Sequence, residues 1–156
     1  MTVYLLRHAD AGSRGKFTGD DQLRPLNAHG RYQAADLVEV LGQLGLTRIV
    51  SSPYRRCIET VAPLAAALGI PIEIHAALAE GPGGPAIELT RCLVDEQAVL
   101  CSHGDIIPEI LDALVVHDAL SLGNDPKCQK ASTWILEPKS QVRRAFASAS
   151  YIPPPR

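Results

Sequence analysis

A chain of 156 residues is long enough for one domain with a full hydrophobic core, and 46% apolar with 21% charged residues is the composition of an ordinary globular protein. A net charge of -2 gives no electrostatic drive toward nucleic acid or an anionic membrane, and 4% aromatic residues offer no stacking platform for single strands. No apolar run approaches the roughly 18 residues of a membrane helix, and Met1-Thr2-Val3 leads into a strand without the flanks of a signal peptide, so a cytoplasmic location is expected.

Val3, Tyr4, Leu5 and Leu6 form a short apolar run, the composition of a buried strand. It ends in Arg7-His8, a basic pair at the strand edge where open α/β sheets bind ligands, which predicts an anion pocket with both residues at its floor. Residues 11–26 hold three glycines, mixed charges and a proline, and read as one long polar loop without regular elements. Loops of that length are usually functional, and Ser13, Arg14, Lys16 and Arg24 are its candidate anion contacts.

Asn27 reads as an N-cap for a helix with Ala34, Leu37, Val38, Leu41 and Leu44 on one face, ending at Gly45. Arg48-Ile49-Val50 is a second strand. Ser52 is expected to cap the next helix with Pro53 at its first position, which makes its free N–H groups an anion site and brings Arg55 or Arg56 within reach of Arg7 and His8. Ile58, Val61, Leu64, Ala65 and Leu68 form its buried face, Pro63 kinks or interrupts it and Gly69 closes it.

Residues 70–75 read as a third strand, and 76–85 as a turn-rich loop whose only carboxylate, Glu80, is a candidate general acid beside an anion pocket. Residues 86–96 read as a helix, and 98–101 as an apolar strand ending in Ser102-His103-Gly104-Asp105 before a helix through Leu114. The strand-then-histidine pattern of the opening thus recurs, with Gly104 permitting close backbone approach. Residues 117–132 read as a polar connection, 132–137 as a β-rich run, 141–146 as an edge strand and 151–156 as a loosely held tail. Cys57, Cys92, Cys101 and Cys128 form no CxxC pair and read as buried, reduced thiols rather than a zinc site.

The strand-end Arg7-His8, the pattern Ser51-Ser52-Pro53-x-x-Arg56-x-x-x-Thr60, Glu80 and Ser102-His103-Gly104 together resemble the motif set of the histidine phosphatase (phosphoglycerate mutase-like) superfamily. The resemblance covers nearly the whole chain, and its short length is similar to the SixA branch of phosphohistidine phosphatases. Residues 7–30 also look like the phosphatase domain fused behind Nudix domains in some bacterial nucleotide hydrolases; no Nudix domain is present in these 156 residues, and His103 is retained where some of those domains replace it.

The resemblance implies a three-layer α/β/α sandwich around a mostly parallel sheet, with residues 1–156 as a single domain. It implies a phosphatase without metal or other cofactor, in which His8 forms a phosphohistidine, Arg7, Arg56 and His103 bind the phosphoryl oxygens, and Glu80 is the acid. Ser13, Arg24 and Gly104 are the expected substrate contacts. The partner would be a phosphorylated small molecule, a nucleotide or a phosphohistidine protein. The family's Arg-His-Gly is here Arg7-His8-Ala9. Two other readings compete. A metal-dependent phosphoesterase would use Asp10, Asp20, Asp21 and Asp105 as ligands, although no HExxH or Walker motif is present. A non-catalytic domain of the same fold would keep the pocket for phosphate recognition.

Overall fold

Residues Val3–Arg7 form the first strand, β1, and its side chains divide the interior. Successive strand residues point to opposite faces. Val3 and Leu5 therefore join one core cluster and Tyr4 and Leu6 another. The computed structural model, which describes all residues from Met1 to Arg156, extends this division across a six-stranded sheet. The further strands are β2 (Arg48–Ser51), β3 (Ile72–Ile74), β4 (Ala98–Ser102), β5 (Thr133–Pro138) and β6 (Phe146–Ile152). Their spatial order is β3-β2-β4-β1-β5-β6; the first four run parallel, and β5 and β6 are added antiparallel.

Four helices cover the two faces: α1 (Ala28–Leu41), α2 (Arg55–Leu68), α3 (Gly84–Cys92) and α4 (Ile106–Asp118). Leu37 and Leu41 of α1 pack with Val61 and Leu64 of α2 over Leu6 and Val99. Ala86 of α3 and Ile107, Ile110 and Leu114 of α4 pack with Leu5, Leu100 and Trp134 on the other side. This is the expected three-layer α/β/α sandwich around a mostly parallel sheet. The helix after β1 lies on one face and the helix after β4 on the other, so the crevice beyond the adjacent ends of β1 and β4 is the topological switch point where such sheets bind ligands. No helix is long and apolar enough to cross a membrane.

Several boundaries differ from expectation, each for a local reason. Helix α1 starts as predicted, with Asn27 accepting from Gly30 N, but ends at Gly42; Gly45, at φ 68°, belongs to the following turn. Helix α2 starts at Arg55 with Tyr54 as its cap, not at Ser52 and Pro53, because the Ser52 hydroxyl accepts from Tyr54 N and is shared with His103. It runs through Pro63 without a break and closes at Gly69 in the left-handed conformation. Strand β3 is shorter than predicted, and α3 begins and ends earlier than residues 86–96. Helix α4 reaches Asp118, whose buried carboxylate holds Arg91 and accepts from Phe146 N. The edge strand is 146–152 rather than 141–146 and takes in Tyr151, which packs on Trp134, so the tail is fixed further along than expected. The loop 11–26 contains two short 3-10 turns, the second capped by Asp20. Among the thiols, Cys57 and Cys101 are buried and Cys128 is half-buried, but Cys92 is exposed.

Gly30 joins the fold to the site. It is buried in α1, and a Cβ there would overlap the backbone carbonyl of Asp10, two residues beyond His8. Gly→Ala inside a helix ordinarily stabilises by about 1 kcal/mol. Here the obstacle is backbone and cannot swing away, so Gly30→Ala should destabilise by about 1–3 kcal/mol. Urea denaturation measures this, and an increase in stability would mean that α1 does not press on the Asp10 segment.

Candidate active site

The register aligns Arg7 with Ser102 and Ser51 with Cys101, so β1, β2 and β4 end level with one another. His8 N–H donates to Ser102 O and Ser52 N–H to Cys101 O, which brings His8, Ser52 and His103 to the same sheet edge. A cavity of about 510 Å³ opens at this edge, with His8 in its lining and His103 and Ser52 buried behind it. Its lining is Arg7, His8, Arg14, Arg24, Arg56, Glu80, Gly104, Asp105 and Lys130, with no hydrophobic residue among them. Five cations against two carboxylates, in a chain of net charge -2, make this a local anion site.

His8 is only 5% exposed. Its Nδ1 lies 2.8 Å from Ala9 O. A carbonyl can only accept, so the proton of the neutral ring sits on Nδ1 and the lone pair is left on Nε2. Burial lowers the imidazole pKa to about 3, reinforced by the charges of His103, Arg56 and Arg7 and opposed by the Ala9 carbonyl. The ring is therefore neutral throughout the physiological range. Ala9 N–H in turn donates to Thr60 Oγ1 at 2.9 Å, and Thr60 donates to Arg56 O, tying the turn after His8 to α2. Ala9 is fully buried and lies outside the positive-φ region, so replacing the family's glycine by alanine brings no backbone strain.

Arg7 is held by one donation, Nη1 to Cys128 O at 2.6 Å. Gly104 packs against its guanidinium: a Cβ at Gly104 would lie 2.7 Å from Arg7 Cζ. Arg56, not Arg55, reaches the pocket. It is fully buried, donating to Asp21 O at 2.9 Å, Asp21 Oδ2 at 3.1 Å and Glu80 Oε1 at 2.7 Å, with its guanidinium 4.8 Å from the centre of the Tyr54 ring. Arg55 instead pairs with Glu59 on the helix surface.

His103 is 1% exposed, with Nε2 2.8 Å from Ser52 Oγ and its ring centre 5.4 Å from that of His8. When Ser52 donates to Nε2, the proton of His103 is on Nδ1, which lies 3.6 Å from Glu80 Oε1. Arg7 Nε, Arg56 Nε and His103 Nδ1 are buried without hydrogen-bond partners. Unpaired buried donors are costly, and these three cluster at one sheet edge.

The two other expected substrate contacts differ in place. Ser13 is outside this cavity and lines an adjoining shallow cleft with Lys16 and Phe17, because the loop turns away after Gly12. Arg24 does line the cavity, but its Nε binds Asp21 and its Nη1 binds the carbonyls of Ala11 and Gly12, so it shapes the loop. Lys130 enters from the stretch read only as a polar connection and stands in no motif, and Asp21 anchors Arg56. No three His, Cys, Asp or Glu side chains converge on a metal-binding geometry. Asp10 binds Gly12 N and Lys130, Asp20 caps a turn, and Asp21 holds arginines, so the proposed metal-ligand quartet is dispersed.

The family model of the histidine phosphatase superfamily (branch 1) matches residues 3–91. An 8-oxo-(d)GTP phosphatase of Mycolicibacterium smegmatis is 32% identical over 163 residues, covering 99% of this chain and 48% of that protein. The 55 kDa subunit of transcription factor tau of Saccharomyces cerevisiae is 34% identical over 88 residues, 51% of this chain and 20% of that protein. The chain thus spans about half the length of the first relative and a fifth of the second. The protein histidine phosphatase SixA, solved with tungstate, shares the fold at TM-score 0.72 and 18% identity, over 99% of this chain and 96% of that one.

The state of His8 is directly measurable. Its pKa of about 3 lies below the unperturbed value near 6.5. NMR of the ring should show the Nδ1–H tautomer with no titration between about pH 5 and pH 8. By linkage, the unfolded chain binds the extra proton first as pH falls. The stability due to neutral His8 is therefore complete above about pH 6.5 and lost progressively toward pH 3, by a few kcal/mol in all. A ring midpoint near 6.5 would overturn this description.

Proposed function

Because the chain belongs to the histidine phosphatase superfamily, branch 1, we propose that residues 1–156 form one histidine phosphatase domain that hydrolyses phosphomonoesters through a phosphohistidine on His8. The observation that carries this reading is the pinned tautomer of His8, whose Nδ1 faces Ala9 O and whose Nε2 lone pair is available beside the cationic lining.

In the first step, Nε2 attacks phosphorus in line; the N–P bond forms, the bond to the leaving oxygen breaks, and that oxygen takes a proton from Glu80. In the second, water attacks the phosphohistidine, Glu80 recovers a proton from it, and inorganic phosphate leaves with neutral His8 restored. The transferring group carries its charge on three equatorial oxygens, and catalysis rests on donors placed in advance around them. Arg7 and Arg56 supply planar guanidiniums and His103 an N–H. The Ala9 carbonyl accepts from Nδ1 throughout, which stabilises the positive charge the ring acquires on phosphorylation. No step calls for a metal ion. The similarity to an 8-oxo-(d)GTP phosphatase supports a nucleotide among the substrates, and the shared fold with SixA is compatible with a phosphohistidine protein.

A second reading, phosphate recognition without turnover, draws on the similarity to a transcription factor subunit. Hydrolysis of an aryl phosphate in EDTA separates the two. The wild type should turn over and His8→Ala should not, and a denaturing alkaline quench should trap an acid-labile, alkali-stable phosphoenzyme in the wild type alone. Turnover that survives His8→Ala removes the nucleophile; no turnover with a panel of aryl, nucleotide and phosphohistidine substrates favours recognition.

Arg7→Ala should lower turnover by about 100-fold or more, the usual effect of deleting a preplaced donor. Gly104→Ala makes a finer test. The side chain it would push aside is the end of Arg7, so folding should be nearly unchanged while displacement of the guanidinium lowers turnover by about tenfold or more. Wild-type rates in Gly104→Ala would show that the position of Arg7 is not critical.

A further inference from the structure

Four charged side chains close a ring at the pocket mouth. Arg14 Nη2 binds both oxygens of Glu80, at 2.7 and 2.8 Å. Glu80 Oε1 also takes Arg56 Nη2 at 2.7 Å. Arg56 Nη2 reaches Asp21 Oδ2 at 3.1 Å, and that oxygen lies 3.4 Å from Arg14 Nε. The same Arg56 nitrogen thus already serves two carboxylates, although it is one of the donors a phosphoryl group needs.

The corners are not equally held. Asp21 is fixed by Arg24 as well, and its backbone carbonyl binds Arg56. Glu80 has no hydrogen-bond partner besides the two arginines. Side-chain exposure rises from 0% at Arg56 to 24% at Glu80 and 62% at Arg14, a path from floor to rim. An incoming phosphate competes with Glu80 for Arg56 and repels it, while also gaining Arg7 and His103. Glu80 is the corner that yields, and it yields toward Arg14.

From this we propose that Arg14 is a positioning residue. It shares Glu80 with Arg56 in the resting site, and it retains that carboxylate at the pocket mouth, beside the leaving oxygen, once phosphate has taken its place on Arg56. Arg14 acts through Glu80 and not on the phosphate. The catalytic part of this inference rests on the proposed phosphatase reading; the competition between Glu80 and phosphate does not.

A double-mutant cycle of Arg14→Gln and Glu80→Gln tests it with two readouts: binding of inorganic phosphate by calorimetry, and kcat and KM for an alkyl phosphate, whose poor leaving group needs the proton. Arg14→Gln alone leaves Glu80 wholly to Arg56. It should weaken phosphate binding several-fold and lower kcat by about tenfold, the range of one charge-assisted contact. In the Glu80→Gln background the same substitution should change either quantity by no more than about twofold. Arg14→Lys should recover part of kcat, which a purely structural loss would not allow. Equal effects of Arg14→Gln in both backgrounds would overturn the proposal, since Arg14 would then act on the phosphate directly. A wild type that binds phosphate with the coupled pattern but shows no turnover would remove the phosphatase reading and leave the positioning role intact. Turnover without coupling would do the reverse.

Discussion

The charge of Arg56 is taken fully out of water at the first turn of α2. An isolated buried guanidinium would be prohibitive, so its position requires counter-charge and hydrogen-bond acceptors around it. Those come from two loops that are anchored in the core by Leu26 and Leu78. Asp21 belongs to residues 11–26 and Glu80 to residues 76–85, and both turn inward to reach the same guanidinium. Asp21 then recruits Arg24, whose donations to Ala11 O and Gly12 O set the path of the chain just beyond His8. The walls of the pocket thus owe part of their shape to the buried cation of Arg56.

A histidine that is to act as a nucleophile in such surroundings, the role proposed for His8, poses the opposite problem, because the ring must stay neutral and correctly oriented among positive charges. Burial and the neighbouring cations both disfavour imidazolium, so an environment suited to an anion also keeps His8 neutral. Orientation is a separate matter and is settled by backbone. The Ala9 carbonyl fixes the tautomer, and the Ala9 amide is fixed by Thr60, one turn along α2 from Arg56. His8 and Arg56 are therefore referenced to the same stretch of helix, and a shift of α2 would move both together.

The parts of the site that could be read from the sequence are those carried by regular elements. Apolar strands that stop at Arg7-His8 and Ser102-His103, and a strand that runs into an arginine-bearing helix, bring side chains to one sheet edge by topology alone. What could not be read depends on loop paths. Ser13 and Arg24 sit in the same loop with similar promise, yet one faces an adjoining cleft while the other lines the cavity and also holds the backbone at Ala11. Asp21 stands only within the segment 7–30 and without a part in phosphate binding, and Lys130 in a polar stretch carries no periodic or motif signal. The misplaced start of α2 has the same origin: Ser52 has the chemistry of a cap, but its hydroxyl is shared with His103. A local rule yields where the site needs the group.

The antiparallel strands β5 and β6 also follow from the demands of this edge. A parallel strand presents its carboxyl end at the ligand crevice, so its contribution comes from the loop that follows it. Because β5 runs against β1, it meets the crevice with its beginning, and the residues that precede it do the work. Ser132 O accepts from Arg7 N, and Ala131 N–H is shared between the carbonyls of Arg7 and His8, locking this segment to the end of β1. Three residues earlier, Cys128 O takes Arg7 Nη1, and Lys130 extends into the cavity. The antiparallel addition thus supplies both the single direct anchor of the Arg7 side chain and a further cation. Beyond it, β6 covers the outer edge and buries Phe146, with Tyr151 against Trp134, which keeps β5 from being an exposed edge strand. Removing β6 would loosen β5, and the loss would reach Arg7 through Cys128 even though no residue of β6 lines the pocket.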